Sequence, residues 1–341
     1  MESINILGVK ISRVNYRSAI GTIEGFLATG RKYQVVTPNP EFVVLAQKDP
    51  EFRRILDRAA LAVPDGVGLR MAAKFLSLPV CSLTVIKFFQ LLFQGLLVGA
   101  AAIFRPSFLD VLPETVTGTD LMLRLCERAA RKGYTVFLLG GRGGVAERAA
   151  ERLKEQFANL NIAGTYEGNP QEVPFTLRPA PSSTPRRNPS GSRGRRDAVL
   201  PRESRSDFCG APYVPANAND SNFGNQSPFA STNVSSGAGL RINKVDLLFV
   251  AYGAPKQEKW IACNLPKIPV KVAMGVGGAF DFIAGKRKRA PEFLRRLGLE
   301  WLWRLLQEPQ RLPRIFNATI RFPLLVFLHK LRSSPPSQST D

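Results

Sequence analysis

The chain predicts an α/β fold, a mostly parallel sheet with helices on its faces, and three features carry that expectation. VDLLFVAYG (residues 245–253) and VKVAMGVGG (270–278) are unbroken apolar runs ending at glycine, the pattern of strands buried on both faces. TVFLLGG (135–141) runs through GRGG into VAERAAERLKEQF, a strand, a tight turn and a helix with one apolar face. YQVVT (33–37) and LAVPD (61–65) are short strands ending in polar residues, and PNPEFVVLAQKDPEFRRILDRA between them carries apolar positions at helical spacing. At the start, MESINILGVKISRVN alternates as a single strand and lacks the cationic start and apolar run of a signal peptide. The expected fold is thus Rossmann-like, and in such open sheets ligands gather at the carboxyl ends of the strands, here Asn39, Asp65, Gly141, Gly253 and Gly278.

Two segments interrupt this pattern. Leu83 to Phe104 is apolar apart from one Lys and two Gln; its length matches the roughly 20 residues that cross a bilayer, while Lys87 suits an interfacial or re-entrant hairpin and a buried helix is the plainer reading. Residues 174–243 are rich in Pro, Ser, Arg, Asn and Gly and read as a disordered insertion. The expected layout is an α/β domain over 1–285 with an apolar insertion at about 81–112 and the second insertion at 174–243. A basic amphipathic, membrane-associating appendage over 286–332 and a disordered tail over 333–341 follow.

Composition narrows the chemistry. The 341 residues include 47 Lys plus Arg against 27 Asp plus Glu, a net charge of +20, which favours polyanionic partners. Four scattered cysteines without a CxxC pair argue against a zinc knuckle or disulfide scaffold, and one histidine rules against His-bearing triads and multi-His zinc sites. Acid–base work falls to carboxylates. From Lys286 to Arg332, twelve Lys/Arg and three Glu mix with Trp301, Trp303, Phe316, Phe322 and Phe327, a surface suited to anionic headgroups. Nucleic acid is disfavoured, because no RNP-like pattern or zinc finger accompanies those charges.

Among the strand-end residues, Asp65 before Gly66 and Gly68 is a candidate general base, although a lone Asp-Gly commonly marks a turn or cap. GGRGG (140–144) offers backbone amides to a phosphate at a helix start, but its spacing is neither GxGxxG nor a P-loop. Gln257 and Glu258 follow a buried strand, where Gln257 is placed to read a polar ligand and a capped helix start is the alternative.

The ordered blocks VTPNPEFVVLAQKDPEF, PDGVGL, ETVTGTDLM, VFLLGGRGGVAERAAERL, DLLFVAYGAPKQEKWI, MGVGGAFDFIAGKRKRAP and LEWLWRLLQEPQRLPR resemble the WecG/TagA/CpsF glycosyltransferases. The resemblance implies transfer of a sugar of N-acetylmannosamine type from a UDP-sugar donor to a polyprenyl-diphosphate-linked sugar at the cytoplasmic membrane face, by a peripheral enzyme. It implies Asp65 as base, Thr37, Asn39 and Gln257 at the site, and Arg304, Arg311 and Arg314 closing over the diphosphate; the amides around Gly141 and Gly143 are expected from the turn itself to assist. Asp281 is the reserve base. Where the family commonly carries arginine in an ERVTG block, this chain has Thr115, with Arg105 or Lys87 as compensating cations. With no DxD sequence present, a metal-independent reaction without cofactors is expected. Homo-oligomers stay open, as do a non-catalytic nucleotide-sugar or RNA-binding module with a decayed site and, lower, a Rossmann oxidoreductase.

Overall fold

The computed structural model describes residues 2–168, 244–292, 294 and 300–333; the expected insertion at 174–243 and the tail beyond Ser333 lie outside them. The N-terminal alternation forms a hairpin rather than one strand, β1 (Ser3–Ile6) and β2 (Val9–Ser12). Leu7 and Gly8 turn the chain at φ 52° and 81°, the left-handed pair that two-residue hairpin turns demand. After α1 (Tyr16–Thr29), capped by the Asn15–Ser18 box, come β3 (Tyr33–Val36), α2 (Pro40–Ala46), α3 (Pro50–Arg58) and β4 (Leu61–Ala62). The helical pattern after β3 breaks in two because Asp49 accepts from Phe52 N–H and Pro50 opens a new helix.

Next stand α4 (Val67–Ser77), α5 (Thr84–Phe104), α6 (Gly118–Lys132), β5 (Thr135–Gly140), α7 (Val145–Gln156) and β6 (Asn161–Tyr166). Then come β7 (Val245–Ala251), α8 (Lys256–Asn264), β8 (Val270–Gly275) and α9 (Ala279–Ile283). The C-terminal helices are α10 (Glu300–Gln307), α11 (Leu312–Phe316) and α12 (Phe322–Arg332).

Six strands form one parallel sheet in the order β4-β3-β8-β7-β5-β6. Both faces are covered, as the continuous apolar runs require. Along β3, Val35 joins a core with α1, α6 and α7, whereas Val36 joins a second core with the hairpin, α2, α3 and α4, the period-two alternation of a strand.

Two elements outside the α/β repeat seal that second core. Leu91 and Val98 of α5, and Phe322 and Val326 of α12, are buried in it, each worth about 1.5–3 kcal/mol of apolar burial. A polar clasp joins the two helices to the body. Lys330 Nζ donates to the Phe75 carbonyl and to Gln94 Oε1, the latter at 2.9 Å, and Gln94 Nε2 donates to the Pro79 carbonyl at 2.7 Å. Burial, with the nearby Lys87 charge, pulls the Lys330 ammonium down to about 8. Helix α5 is long and apolar enough to cross a membrane, but Lys87, Leu91, Gln94, Val98 and Ala101 form a buried seam along it. It therefore lies against the protein along its length.

Candidate active site

The ladder of β3 and β4 continues past the strands: Val63 N–H donates to Val36 O and Asp65 N–H to Pro38 O, both at 2.9 Å. These bonds carry Asp65 to the carboxyl edge of the sheet, level with Thr37 and Asn39. Gly68 lets α4 start close beside this edge, since a Cβ there would meet Pro40 Cγ at 2.7 Å. Val116 N–H donates to Pro64 O at 2.8 Å, bringing the Thr115–Gly118 segment to the same place.

Above this edge opens a cleft of about 1500 Å³. Asp65, Asn39, Thr115, Arg304, Arg311 and Arg314 line one end. Asp65 is half-buried there, and its carboxyl is pushed up to about 7, chiefly by burial. The Arg304 charge opposes that rise, while Glu300 and Asp120 add to it. A carboxylate of that basicity is matched to accepting a proton near neutral pH.

The arginines arrive on the C-terminal helices. Arg314 Nε bonds Glu41 Oε1 at 2.6 Å, Arg304 bonds Glu300 at 3.0 Å, and Arg311 pairs with Glu308 at 2.6 Å. Arg304 also stacks over the Phe282 ring at 4.9 Å. Burial first, and then the charges of Arg304, Arg314 and Arg287, pulls the Arg311 guanidinium below its ordinary value. These cations stand close enough to repel one another, and an anion among them would relieve that repulsion.

The other expected residues occupy different stations. Thr37 is buried and does not line the cleft, its Oγ1 3.5 Å from the Gly275 carbonyl. Asn39 caps α2 through Oδ1, which accepts from Phe42 N–H at 3.0 Å, and the residue lines the cleft. Gln257 does not line the cleft. It is 2% exposed, its Oε1 accepts from the Gly253 and Gly277 N–H groups at 3.0 Å each, and its Nε2 donates to Glu258 Oε1 at 2.7 Å. It ties the loops after β7 and β8 together. Burial pushes the neighbouring Glu258 carboxyl up to about 7.

Gly141 and Gly143 also stand outside the cleft, three strand spacings or about 14 Å from β3 along the sheet edge. Gly144 N–H donates to Glu167 Oε1, and Arg148 donates to the Gly143 carbonyl at 2.8 Å, so a carboxylate of the chain already sits at the start of α7. Asp281 faces Arg287 at 3.8 Å, away from the cleft lining.

At the wall beside Thr115, neither Arg105 nor Lys87 lines the cleft; Lys87 Nζ is turned to the Ser333 carbonyl at 2.5 Å. Arg289 and Arg70 stand there instead. Arg289 holds both oxygens of Asp120 at 2.6 and 2.7 Å, and Asp120 accepts from Thr117 Oγ1 at 2.8 Å. Arg70 reaches the carbonyls of Pro106, Leu109 and Leu112 at 3.2, 2.9 and 3.1 Å, pinning the loop after α5. Arg289 lay within the quoted GKRKRAP block, but sequence does not show which of four adjacent cations turns inward.

The chain matches the profile of the "Glycosyl transferase WecG/TagA/CpsF family" over residues 4–104, 95–175 and 226–336. It is 25% identical over 302 residues, 89% of this chain and 81% of the relative, to an N-acetylglucosaminyldiphosphoundecaprenol N-acetyl-beta-D-mannosaminyltransferase of Bacillus spizizenii. Proteins of the same name from Staphylococcus aureus (23% identity, 93% of this chain, 89% of the relative) and Bacillus subtilis (23%, 83% and 75%) are also similar. The family model matches most of the chain, and this protein is a glycosyltransferase of the WecG/TagA/CpsF family.

Proposed function

We propose that the enzyme moves an N-acetylmannosamine-type sugar, with inversion, from a UDP-sugar to a sugar carried on a polyprenyl diphosphate at the cytoplasmic membrane face, in assembly of a cell-surface polymer. The relatives' names supply the acceptor class and the sugar. The observation that carries the chemistry is Asp65, held at the sheet edge with Arg304, Arg311 and Arg314 in the same cleft.

Asp65, ionised, takes the proton of the acceptor hydroxyl as that oxygen forms its bond to the anomeric carbon. The bond from the anomeric carbon to the UDP oxygen breaks, and UDP leaves with the electron pair. The arginines absorb the charge gathering on the diphosphate, exchanging glutamate partners for phosphate oxygens. No divalent ion is needed in this scheme. Asn39 shapes the sugar end. The nucleoside end runs along the carboxyl edge of the sheet, over the loops braced by Gln257, toward Gly141 and Gly143.

The test is a screen of UDP-sugars with a synthetic polyprenyl-diphosphate-N-acetylglucosamine acceptor, with EDTA present and scored by lipid-linked disaccharide. UDP-N-acetylmannosamine should give product. Absence of both UDP release and disaccharide with every donor would leave a nucleotide-sugar-binding module in its place.

A further inference from the structure

The cleft is larger than its chemistry requires: about 1500 Å³, against the ~300–1,000 Å³ of ordinary small-molecule pockets. The surplus is apolar and continuous with the polar end. The cleft follows α4 from Val67 to Phe75, about 12 Å along that helix. Past Arg70 its walls are Phe75, Phe88, Leu91, Val98, Phe322 and Phe327. Phe327 closes this arm against Phe75 and Phe88, with ring centroids at 6.4 and 5.8 Å. The walls belong to α4, α5 and α12.

The arm opens on an apolar rim. Leu92, Leu96 and Leu324 line the cleft and are at the same time exposed, Leu96 by 75%. Beyond the rim the outer face of α5 presents Phe89 and Phe93, 65% and 67% exposed. A soluble protein rarely leaves so much contiguous apolar surface to water. Helix α5 cannot cross a bilayer while its opposite seam is buried in the protein, so lying in the interface plane is the arrangement that satisfies both faces.

We infer that the apolar arm between α5 and α12 binds the first isoprenoid units of the acceptor's hydrocarbon chain, with α5 embedded so that the chain passes from the arm directly into the bilayer. The inference rests on the transfer reading for the identity of the occupant, a prenyl diphosphate whose head group enters at the same polar end of the cleft as the donor. Continuity selects this occupant. Cations at one end, an unbroken apolar path and an apolar mouth match a prenyl diphosphate in order and polarity, whereas a sugar nucleotide has nothing to place in the arm.

Gly95 gives a clean test. It lines the arm in mid-helix, where an added Cβ would meet only Phe75 Cε2, at 4.0 Å, and replacing a helical glycine favours the helix. Calorimetric titration with geranylgeranyl diphosphate and with inorganic diphosphate reads the chain's contribution without turnover. The wild type should bind the prenyl compound at least tenfold more tightly. Gly95→Phe, whose ring fills the arm, should erase that ratio, while Gly95→Ala should keep it. Equal affinity for the two compounds in the wild type, or an undiminished ratio in Gly95→Phe with an unchanged thermal melt, would overturn the proposal. So would a light-scattering dimer in which α5 is covered by a second copy and the ratio is absent. Chain-dependent binding with no UDP release in the donor screen would sink the transfer reading and leave the arm standing.

Discussion

Two strand-end loops of one sheet behave oppositely. The loop after β5 carries the glycine-rich turn that announces an anion site in sequence, yet Glu167 bonds its Gly144 amide and Arg148 its Gly143 carbonyl. The loop after β4 carries an ordinary Asp-Gly, yet its carboxylate lies in a cleft with Arg304, Arg311 and Arg314. A glycine turn declares what the backbone permits, whereas a reactive carboxylate needs distant parts of the chain to desolvate it and supply charge. The C-terminal helices reach the β3–β4 end through the Arg314–Glu41 pair and the burial of Phe322 and Val326. That placement puts Asp65 and the arginines in one cleft.

The sharpest way to break this contrast is Asp65→Asn, which should lower kcat by about 10²–10⁴-fold with little change in donor KM. The wild-type kcat should rise with pH through about 7, because the base works only when ionised and its carboxyl titrates there; a flat profile from pH 6 to 8 would move the role elsewhere. Arg311→Ala should cost roughly 10–10³-fold in kcat/KM through loss of charge stabilisation on the leaving diphosphate. It is a cleaner probe than removing everything after Ala290, since the truncation also strips Phe322 and Val326 from the core.

Stability should move the other way. Asp65 has a folded-state value raised above its ordinary 3.8, so the folded protein binds the extra proton and loses stability as pH climbs from about 4 through 7. Asp65→Asn removes that penalty and should raise Tm by about 2–4 °C at pH 8, with a smaller gain at pH 5, in a thermal-shift series. The smallest effect belongs to the other loop. Glu167→Gln weakens the charge competing for the Gly144 amide and should lower donor KM about two- to fivefold. An unchanged KM would make the β5 turn purely structural.

Legibility differed by element. The strands 135–140, 245–251 and 270–275 were readable because burial on both faces leaves an uninterrupted apolar run, and Asp65 could be singled out because it follows a short strand at the same edge of the sheet. The hairpin escaped because Leu7, a poor turn residue by type, occupies a left-handed position. Asp49-Pro50 hid a helix break inside a helical periodicity. Gln257 looked like a ligand reader and is instead a brace, since its neighbours Gly253 and Gly277 meet only after the strands align.

By itself the sequence determined the class of fold, the carboxyl edge at which the cleft opens and the cationic character of the last segment, because apolar periodicity, strand-end residues and net charge are local properties of the chain. Tertiary structure alone decided which arginines enter the cleft, that Asp65 is desolvated enough to titrate near 7, and that α5 and α12 leave an apolar arm beside it. Those outcomes depend on contacts between residues hundreds of positions apart, such as Lys330 with Phe75 and Arg314 with Glu41, and no local pattern specifies them.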